Sequence, residues 1–467
     1  MGNRRFRKEK DFLGEVEVPK DAYYGIFTIR AKKNFQISGI KAPTSFIYSL
    51  VLLKKACALA NVELKTLEAK LGTAIVQAAD EVLAGKYDDQ FLLDVYQAGA
   101  GTPYNMNMNE VLANRTLEIL GYERGRYDIV EPQNHPNAPQ SSNDVIPTAA
   151  RMAILHAVHD FLPALTQFEG TLRIKAKDFY HITKTGRTHY QDAVPITLGQ
   201  EFEAYANKIE NARKFIIEAS EHLKDLGIGG TAIGTGINTH PKFSQTTVKH
   251  LNKLTSFKFR VTKDKIEKTQ NFDDFVVISN SLRILVIDLL KISNDLKLLN
   301  SGPNAGLAEI MLPEVEPGSS IMPGKVKPTI PKSVDMVCFQ VNGRDQTLML
   351  AATGGVLELN VYAPIVMYDL IDSLTILKNT LKMFADKCVS GITPNKEKIK
   401  EYLEKGLIIG TALTPIFGYA RVAGWVKEAQ KTRKTIRQII LEKKIMSKEE
   451  LDKVLDPEKL TEPNLEN

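Results

Sequence analysis

Four stretches of this chain repeat apolar residues at alternating spacings of three and four, and that repetition limits the fold more than any other feature. Ile278, Leu282, Leu285, Leu289, Ile292, Leu296 and Leu299 keep the pattern without a break, as do Phe202, Tyr205, Ile209, Ala212, Ile216, Ala219 and Leu223. Met367, Leu370, Leu374, Leu377, Leu381, Phe384 and Cys388 form a third series. Met152, Leu155, Leu162, Leu165, Leu172 and Phe179 form a looser fourth, which Pro163 is expected to kink or break. Side chains so spaced share one stripe of an α-helix and suit helices crossing at shallow angles. Helices of about 25 residues extend nearly 40 Å at 1.5 Å per residue, longer than a small bundle needs, so self-association along these seams is expected. The fold class that follows is all-α, built on a central bundle of long helices.

A chain of 467 residues exceeds one compact core, and its 43% apolar content is ample for several. Three domains are expected. Residues 1–142 form a mixed, mostly helical domain, opening with the strand-like EVEVP and continuing into the helical FIYSLVLLKKACALANVEL. Residues 143–396 form the long-helix bundle with an irregular loop at 313–331, and residues 397–467 a small, charged helical domain. Cys57, Cys338 and Cys388 are widely spaced, with no CxxC pair and no histidine at a ligand spacing, so neither a disulfide framework nor a metal site is expected. A reducing, cytoplasmic location fits. The net charge of +6, from 61 basic and 55 acidic residues, is small and spread out, so nucleic-acid binding is not implied. The basic N-terminus MGNRRFRKEKDF leads into acidic and polar residues and does not read as a signal peptide. No segment supplies the roughly 18 apolar residues of a membrane span.

Four segments interrupt the helical pattern with small, polar and Gly/Pro residues, where sites concentrate. In GAGTPYNMNMNE, Thr102 and Asn105 follow a Gly-rich turn whose N–H groups suit a carboxylate. In NAPQSSND, Ser141, Ser142 and Asn143 precede a helix, which fits an N-cap as well as a binding site. TGRTHYQDAVP gathers Arg187, Thr188, His189, Gln191 and Asp192 before a long helix, and a histidine in so polar a cluster is a candidate acid/base or binding group. EVEPGSSIMPGKVKPTIP combines prolines, glycines, Ser319, Ser320, Lys325 and Lys327. Its prolines and glycines keep it out of the flanking helices, and its Met, Ile and Val distinguish it from a flexible linker, so it reads as a shaped loop and a candidate lid.

TGRTHYQDAVP, SSNDVIPTA and above all GSSIMPGKV resemble, in order and spacing, the signature segments of the aspartase/fumarase superfamily, and the match runs from about residue 10 to 460. DAYYGIFTIRAKKNF, AGAGTPYNMNMNEVLAN, GTAIGTGIN, SGPNAGLAEIMLP and ELNVYAPIV look like the ammonia-lyase branch more than the class II hydratase branch, while SSND leans toward the hydratases. The resemblance implies a three-domain fold, a homotetramer and composite sites drawn from three subunits. It also implies reversible elimination of ammonia from L-aspartate to give fumarate, with no cofactor and no catalytic metal. By the same resemblance Ser319 is the general base, with Lys325 helping to stabilise its alkoxide. Thr102, Ser141, Ser142 and backbone N–H groups hold the carboxylate on which charge builds, Thr188 and Lys325 the other carboxylate, and Asn143 and His189 lie near the amine. Asn105, Ser320 and Lys327 complete the substrate-binding set.

Three positions depart from the family pattern. KxNP reads Lys325-Val326-Lys327-Pro328, so an ammonium replaces a carboxylate-binding amide. Two ammonium groups about 4 Å apart repel by roughly 4 kcal/mol at an effective dielectric of 20, so Lys327 must lose its proton, find an anion or point away. Lys332 replaces an acidic residue that in relatives pairs with the histidine of GRTH, and Asn304 stands where SGPRAG has arginine. These changes leave two alternatives beside the aspartate lyase: a fumarate hydratase or a lyase acting on another succinyl substrate, larger or more anionic, and a catalytically impaired paralogue with a structural or binding role.

Overall fold

A computed structural model describes residues 6–463; the first five residues of the basic N-terminal stretch and the last four of the C-terminal region lie outside the described residues. The chain is mainly helical, as its apolar periodicity predicts. A hairpin of β1 (Phe6–Asp11) and β2 (Gly14–Pro19), the latter containing EVEVP, precedes α1 (Ile26–Asn34), α2 (Thr44–Glu63), α3 (Ala69–Leu83) and α4 (Thr102–Ile119). Next come α5 (Ser142–Asp178), the hairpin β3 (Thr183–Thr188) and β4 (Gln191–Thr197), α6 (Leu198–Ser220), α7 (Phe243–Leu254), α8 (Lys265–Gln270) and α9 (Asp273–Leu299). Then follow α10 (Thr329–Thr353), α11 (Ala363–Lys387), α12 (Lys396–Lys405) and a run of short helices.

Every member of the first three apolar series is buried, on α9, on α6 with the turn after it, and on α11 with Cys388. The fourth lies on α5, with Phe179 on the turn just after it, and α5 runs unbroken through Pro163 for 37 residues, about 55 Å. The expected break does not occur. A proline removes one backbone bond, and the buried Phe161, Ala164, Leu165 and Phe168 around it hold the helix by packing.

The chain divides into two compact units, residues 1–162 with 214–284 and 340–377, and residues 163–213 with 285–339 and 378–467. Each of the five long helices, α5, α6, α9, α10 and α11, contributes residues to both. The expected domain boundaries at 142/143 and 396/397 fall within a residue of the starts of α5 and α12.

In the first unit α2 packs against α3, α4 and α7. With 20 residues and a mean hydropathy of 1.4, α2 is long and apolar enough by length and composition to cross a membrane, where no such segment was expected; 67% of that window is buried inside the fold. A helix apolar on all sides is what a core position selects. Arg151, Asp274 and Lys268 form a buried charge cluster in the same unit, with Arg151 Nε 2.6 Å and Lys268 Nζ 2.9 Å from Asp274 Oδ2.

The second unit has a satellite core of Leu413, Val422, Ile436, Ile440, Leu451 and Leu455, and its β3–β4 hairpin packs on α12. The Pro/Gly-rich loop ends earlier than expected. Thr329, Ile330 and Pro331 belong to α10, because the first turn of a helix needs no N–H from Pro331. Ser293 Oγ, 2.9 Å from Pro331 O and 2.7 Å from Asp335 Oδ1, fixes that turn, and Lys297 pairs with Asp335.

Candidate active site

In the first unit the polar residues gather at the N-terminal turn of α5. Ser141 Oγ accepts the Asn143 N–H at 3.2 Å, and Asp144 Oδ1 accepts the Ser141 N–H at 3.0 Å, so Ser141 serves as an N-cap. Ser142 Oγ accepts Asn105 Nδ2 at 3.1 Å and finds no acceptor for its own proton among the described residues, which leaves that proton for an anion. Asn105 Nδ2 also donates to Asn137 Oδ1 at 3.1 Å, while Asn105 Oδ1 is buried without a partner. Asn143 turns its amide to Ala232 O at 2.7 Å.

Lys54 Nζ, on α2, donates to Asn137 Oδ1 at 2.9 Å, and Asn137 Nδ2 donates to Gln140 O at 2.9 Å. Lys54 has no exposed surface, and loss of water brings its ammonium down to about 7. The other carboxylate oxygen of Asp144 accepts the N–H groups of Gly229 at 2.9 Å and Thr231 at 3.0 Å; burial still pushes the carboxyl up to about 6 against those donors. Thr102 opens α4 directly after a turn in which Ala100 has φ 58° and Gly101 φ 69°. A Cβ on Gly101 would lie 2.8 Å from Ile146 Cγ2, so only glycine lets the turn reach α5.

In the second unit Thr188 and His189 occupy the tip of the β3–β4 hairpin. Thr188 pairs with Gln191, and the two residues between them, His189 (φ 51°) and Tyr190 (φ 61°), make a two-residue turn with both centres left-handed. All three side chains are exposed. Behind them Glu309, fully buried, lies 2.8 Å from Arg187 Nη2 and 3.1 Å from Lys184 Nζ, which in turn reaches Glu201 at 2.8 Å. The Glu309 oxygens take these contacts without hydrogen-bond alignment, so the attraction is Coulombic. His189 and Tyr190 line a cavity of about 450 Å³ with Lys184, Arg187, Glu201 and Tyr205.

The Gly318–Lys325 segment is pinched into a ring. Gly318 N donates to Lys325 O at 2.8 Å, and a Cβ there would sit 2.2 Å from that oxygen. Inside the ring Ser319 Oγ accepts the N–H groups of Met322 at 2.9 Å and Ile321 at 3.2 Å. Two donors aimed at a hydroxyl oxygen favour its alkoxide, the form a serine base requires. Lys325 Nζ lies on the same ring, 3.8 Å from Met322 Sδ. Ser320, Lys325, Lys327 and Lys332 are exposed.

The predicted site residues thus fall into three groups: the α4 and α5 starts in the first unit, and the hairpin tip and the Gly318–Lys325 ring in the second. Asn105 and Ser142 meet directly, with Ser141, Asn143 and Thr102 on the same pair of helix starts. Among the described residues no hydrogen bond or ion pair joins Thr188 or His189 to Ser319, Ser320, Lys325 or Lys327. Sequence reasoning missed Lys54, Asn137, Asp144 and Glu309. Asn137 and Asp144 lay inside a segment already singled out, and Lys54 was visible as a charge within VLLKKACALA; Glu309 had no signal beyond being an acid in a Gly-rich stretch.

A lyase family model matches residues 14–343, and a model of the fumarase C C-terminus matches residues 409–462. Aspartate ammonia-lyase of Bacillus subtilis (strain 168) is 44% identical, over 99% of this chain and 98% of its own. Fumarate hydratase class II of the same organism is 42% identical, over 98% of this chain and 99% of its own. Among solved structures, fumarate lyase:delta crystallin from Brucella melitensis superposes with a TM-score of 0.95 at 41% identity, covering 98% of this chain and all of that one. The recombinant class II fumarase from Schistosoma mansoni gives 0.95 at 38% identity, over 98% of this chain and 99% of that one.

Proposed function

Because the chain belongs to the lyase family that contains the aspartate ammonia-lyases and the class II fumarate hydratases, we propose that it is a carbon–nitrogen lyase eliminating ammonia from L-aspartate to give fumarate. The observation that carries this reading is Ser319: a hydroxyl on a pinched loop, with two N–H groups on its oxygen and an ammonium on the same ring. As an alkoxide, Ser319 takes the proton from the carbon beside the β-carboxylate. The electron pair left behind delocalises into that carboxylate as an enediolate-like dianion. Hydroxyls at the α5 turn, Ser142 foremost, donate to it while charge builds, which lowers the barrier only insofar as they bind the dianion better than the substrate. The enediolate then collapses to the carbon–carbon double bond as the carbon–nitrogen bond breaks, the bonding pair going to nitrogen so that the substrate's α-ammonium group departs as ammonia. Thr188 and Lys325 hold the other carboxylate, with His189 and Asn143 beside the amine.

The three separate groups of residues support composite sites in a homotetramer, as does the apolar surface that α9 and α10 expose. A second reading, hydration of fumarate to malate, is favoured by hydratase relatives of nearly equal identity. Offering aspartate and malate separately, and following fumarate by its ultraviolet absorbance, decides between them. Signal from aspartate alone, abolished in Ser319→Ala, is the expected result. Signal from malate would make the chain a hydratase, and silence with both would leave it an impaired paralogue or a lyase of another succinyl compound.

A further inference from the structure

We propose that Lys54 is a positioning residue of the carboxylate site at the α5 turn, supplying positive charge to the bound anion through Asn137, Asn105 and Ser142. The inference deepens the dicarboxylate reading above and rests on it.

The geometry is a continuous relay. Lys54 Nζ donates to Asn137 Oδ1 at 2.9 Å, the same oxygen takes Asn105 Nδ2 at 3.1 Å, and that nitrogen donates to Ser142 Oγ at 3.1 Å. Each link fixes the next. With Asn105 Nδ2 occupying one lone pair of Ser142 Oγ, the Ser142 hydroxyl keeps its proton to offer outward. Burying an ammonium against a neutral amide is costly, and a fold retains such a group where its charge is used.

The charges around Lys54 show what that use is. Cys57 on its own helix is buried and its thiol is pushed up to about 12, so it brings no charge. From α5 the group facing Lys54 is Asp144, whose carboxylate caps the turn by accepting the N–H groups of Ser141, Gly229 and Thr231. On α3, Asp80 pairs with Lys55. On α7, Lys249 and His250 pair with Glu63 at the far end of α2. On α4, Glu110 is held by the N–H groups of Gly25, Phe27 and Thr28, and Arg115 by Glu81 and Glu118. Without Lys54 the turn would therefore meet an incoming dianion with the Asp144 carboxylate uncompensated.

A dianion arriving near a lysine that is only partly protonated at neutral pH must also draw a proton onto it. Succinate, a dicarboxylate with no leaving group, is the probe, and calorimetry in buffers of differing ionisation enthalpy reads both affinity and proton uptake. Lys54→Met, assembled and folded by sedimentation and circular dichroism, is expected to bind succinate about tenfold more weakly, the effect of a unit charge roughly 10 Å away at an effective dielectric of 20. At pH about 7.5 wild type is expected to take up on the order of half a proton per site, and Lys54→Met none. His189→Gln changes the hairpin tip and leaves the buried relay intact, so it is expected to keep the uptake, and it tests Lys54 even where Lys54→Met does not fold. Unchanged affinity and uptake in folded Lys54→Met, or no uptake in His189→Gln, would reduce Lys54 to a packing residue. Failure of wild type to bind succinate would instead overturn the dicarboxylate reading itself.

Discussion

At the scale of single residues, the groups most consequential for this chain are charges kept out of water. Lys54 has its ammonium lowered from 10.5 to about 7. Between those values the unfolded chain holds a proton that the folded chain lacks, so stability rises with pH from about 7 upward. Cys57 opposes this only above its unfolded value near 9, where the free thiol ionises and the buried one does not. Chemical denaturation from pH 7 to 9 is therefore expected to show a gain of up to about 2 to 3 kcal/mol per chain that Lys54→Met lacks. The same titration acts on affinity with the opposite sign, because only the charged form serves the anion. A second residue-scale prediction concerns Arg151, nearly fully buried against Asp274. Arg151→Met leaves Asp274 with Lys268 alone and is expected to cost about 3 kcal/mol in urea unfolding. Sequence pattern exposes such residues poorly. Ser141, Ser142 and Asn143 announced themselves by composition, whereas Lys54 and Glu309 matter only because the fold removes their water.

At the scale of elements, the three unbroken apolar series were fully legible, since burial of one stripe per helix is a local property that spacing encodes. Helix ends were less so. Pro163 reads as a break because its missing N–H is a local fact, while the packing that carries α5 through it is not; Pro331 reads as loop, although a proline is free of cost in a first turn. The hairpin was the least legible element. A turn with two left-handed centres ordinarily announces itself by Asn-Gly or Asp-Gly, and here His189 and Tyr190 fill it, each against its backbone preference. Tyr190 is 84% exposed, so its ring contributes little packing to offset that cost. Tyr190→Gly is expected to raise stability by about 0.5 to 1 kcal/mol, read as an upward shift in Tm. A fall in Tm would mean that the Tyr190 side chain is held by contacts that outweigh its backbone strain.

At the scale of the whole molecule, the question is what covers the apolar surface that a single chain leaves in water. Besides its buried seam, α9 exposes Val277 (38%), Ile284 (37%), Ile287 (56%) and Leu298 (41%), and α10 exposes Met336 (64%), Phe339 (62%) and Leu350 (74%). Val277, Ile284, Lys291 and Leu298 are spaced by sevens, so α9 carries a second stripe at the period of a helix–helix seam. Large aliphatic and aromatic side chains grouped along helices mark association surfaces, whereas scattered ones need no partner. Ile284→Glu with Ile287→Glu places two charges on that stripe without touching the buried one. Sedimentation velocity is expected to show the variant as smaller species with an unchanged helical circular dichroism spectrum. If the sites are composite, activity disappears with the assembly although Ser319, Ser142 and His189 are untouched, and mixing the variant with Ser319→Ala does not restore it. A variant that still assembles as wild type would show that this stripe lies outside the interface, and a dissociated variant that retains turnover would show that each chain carries a whole site of its own.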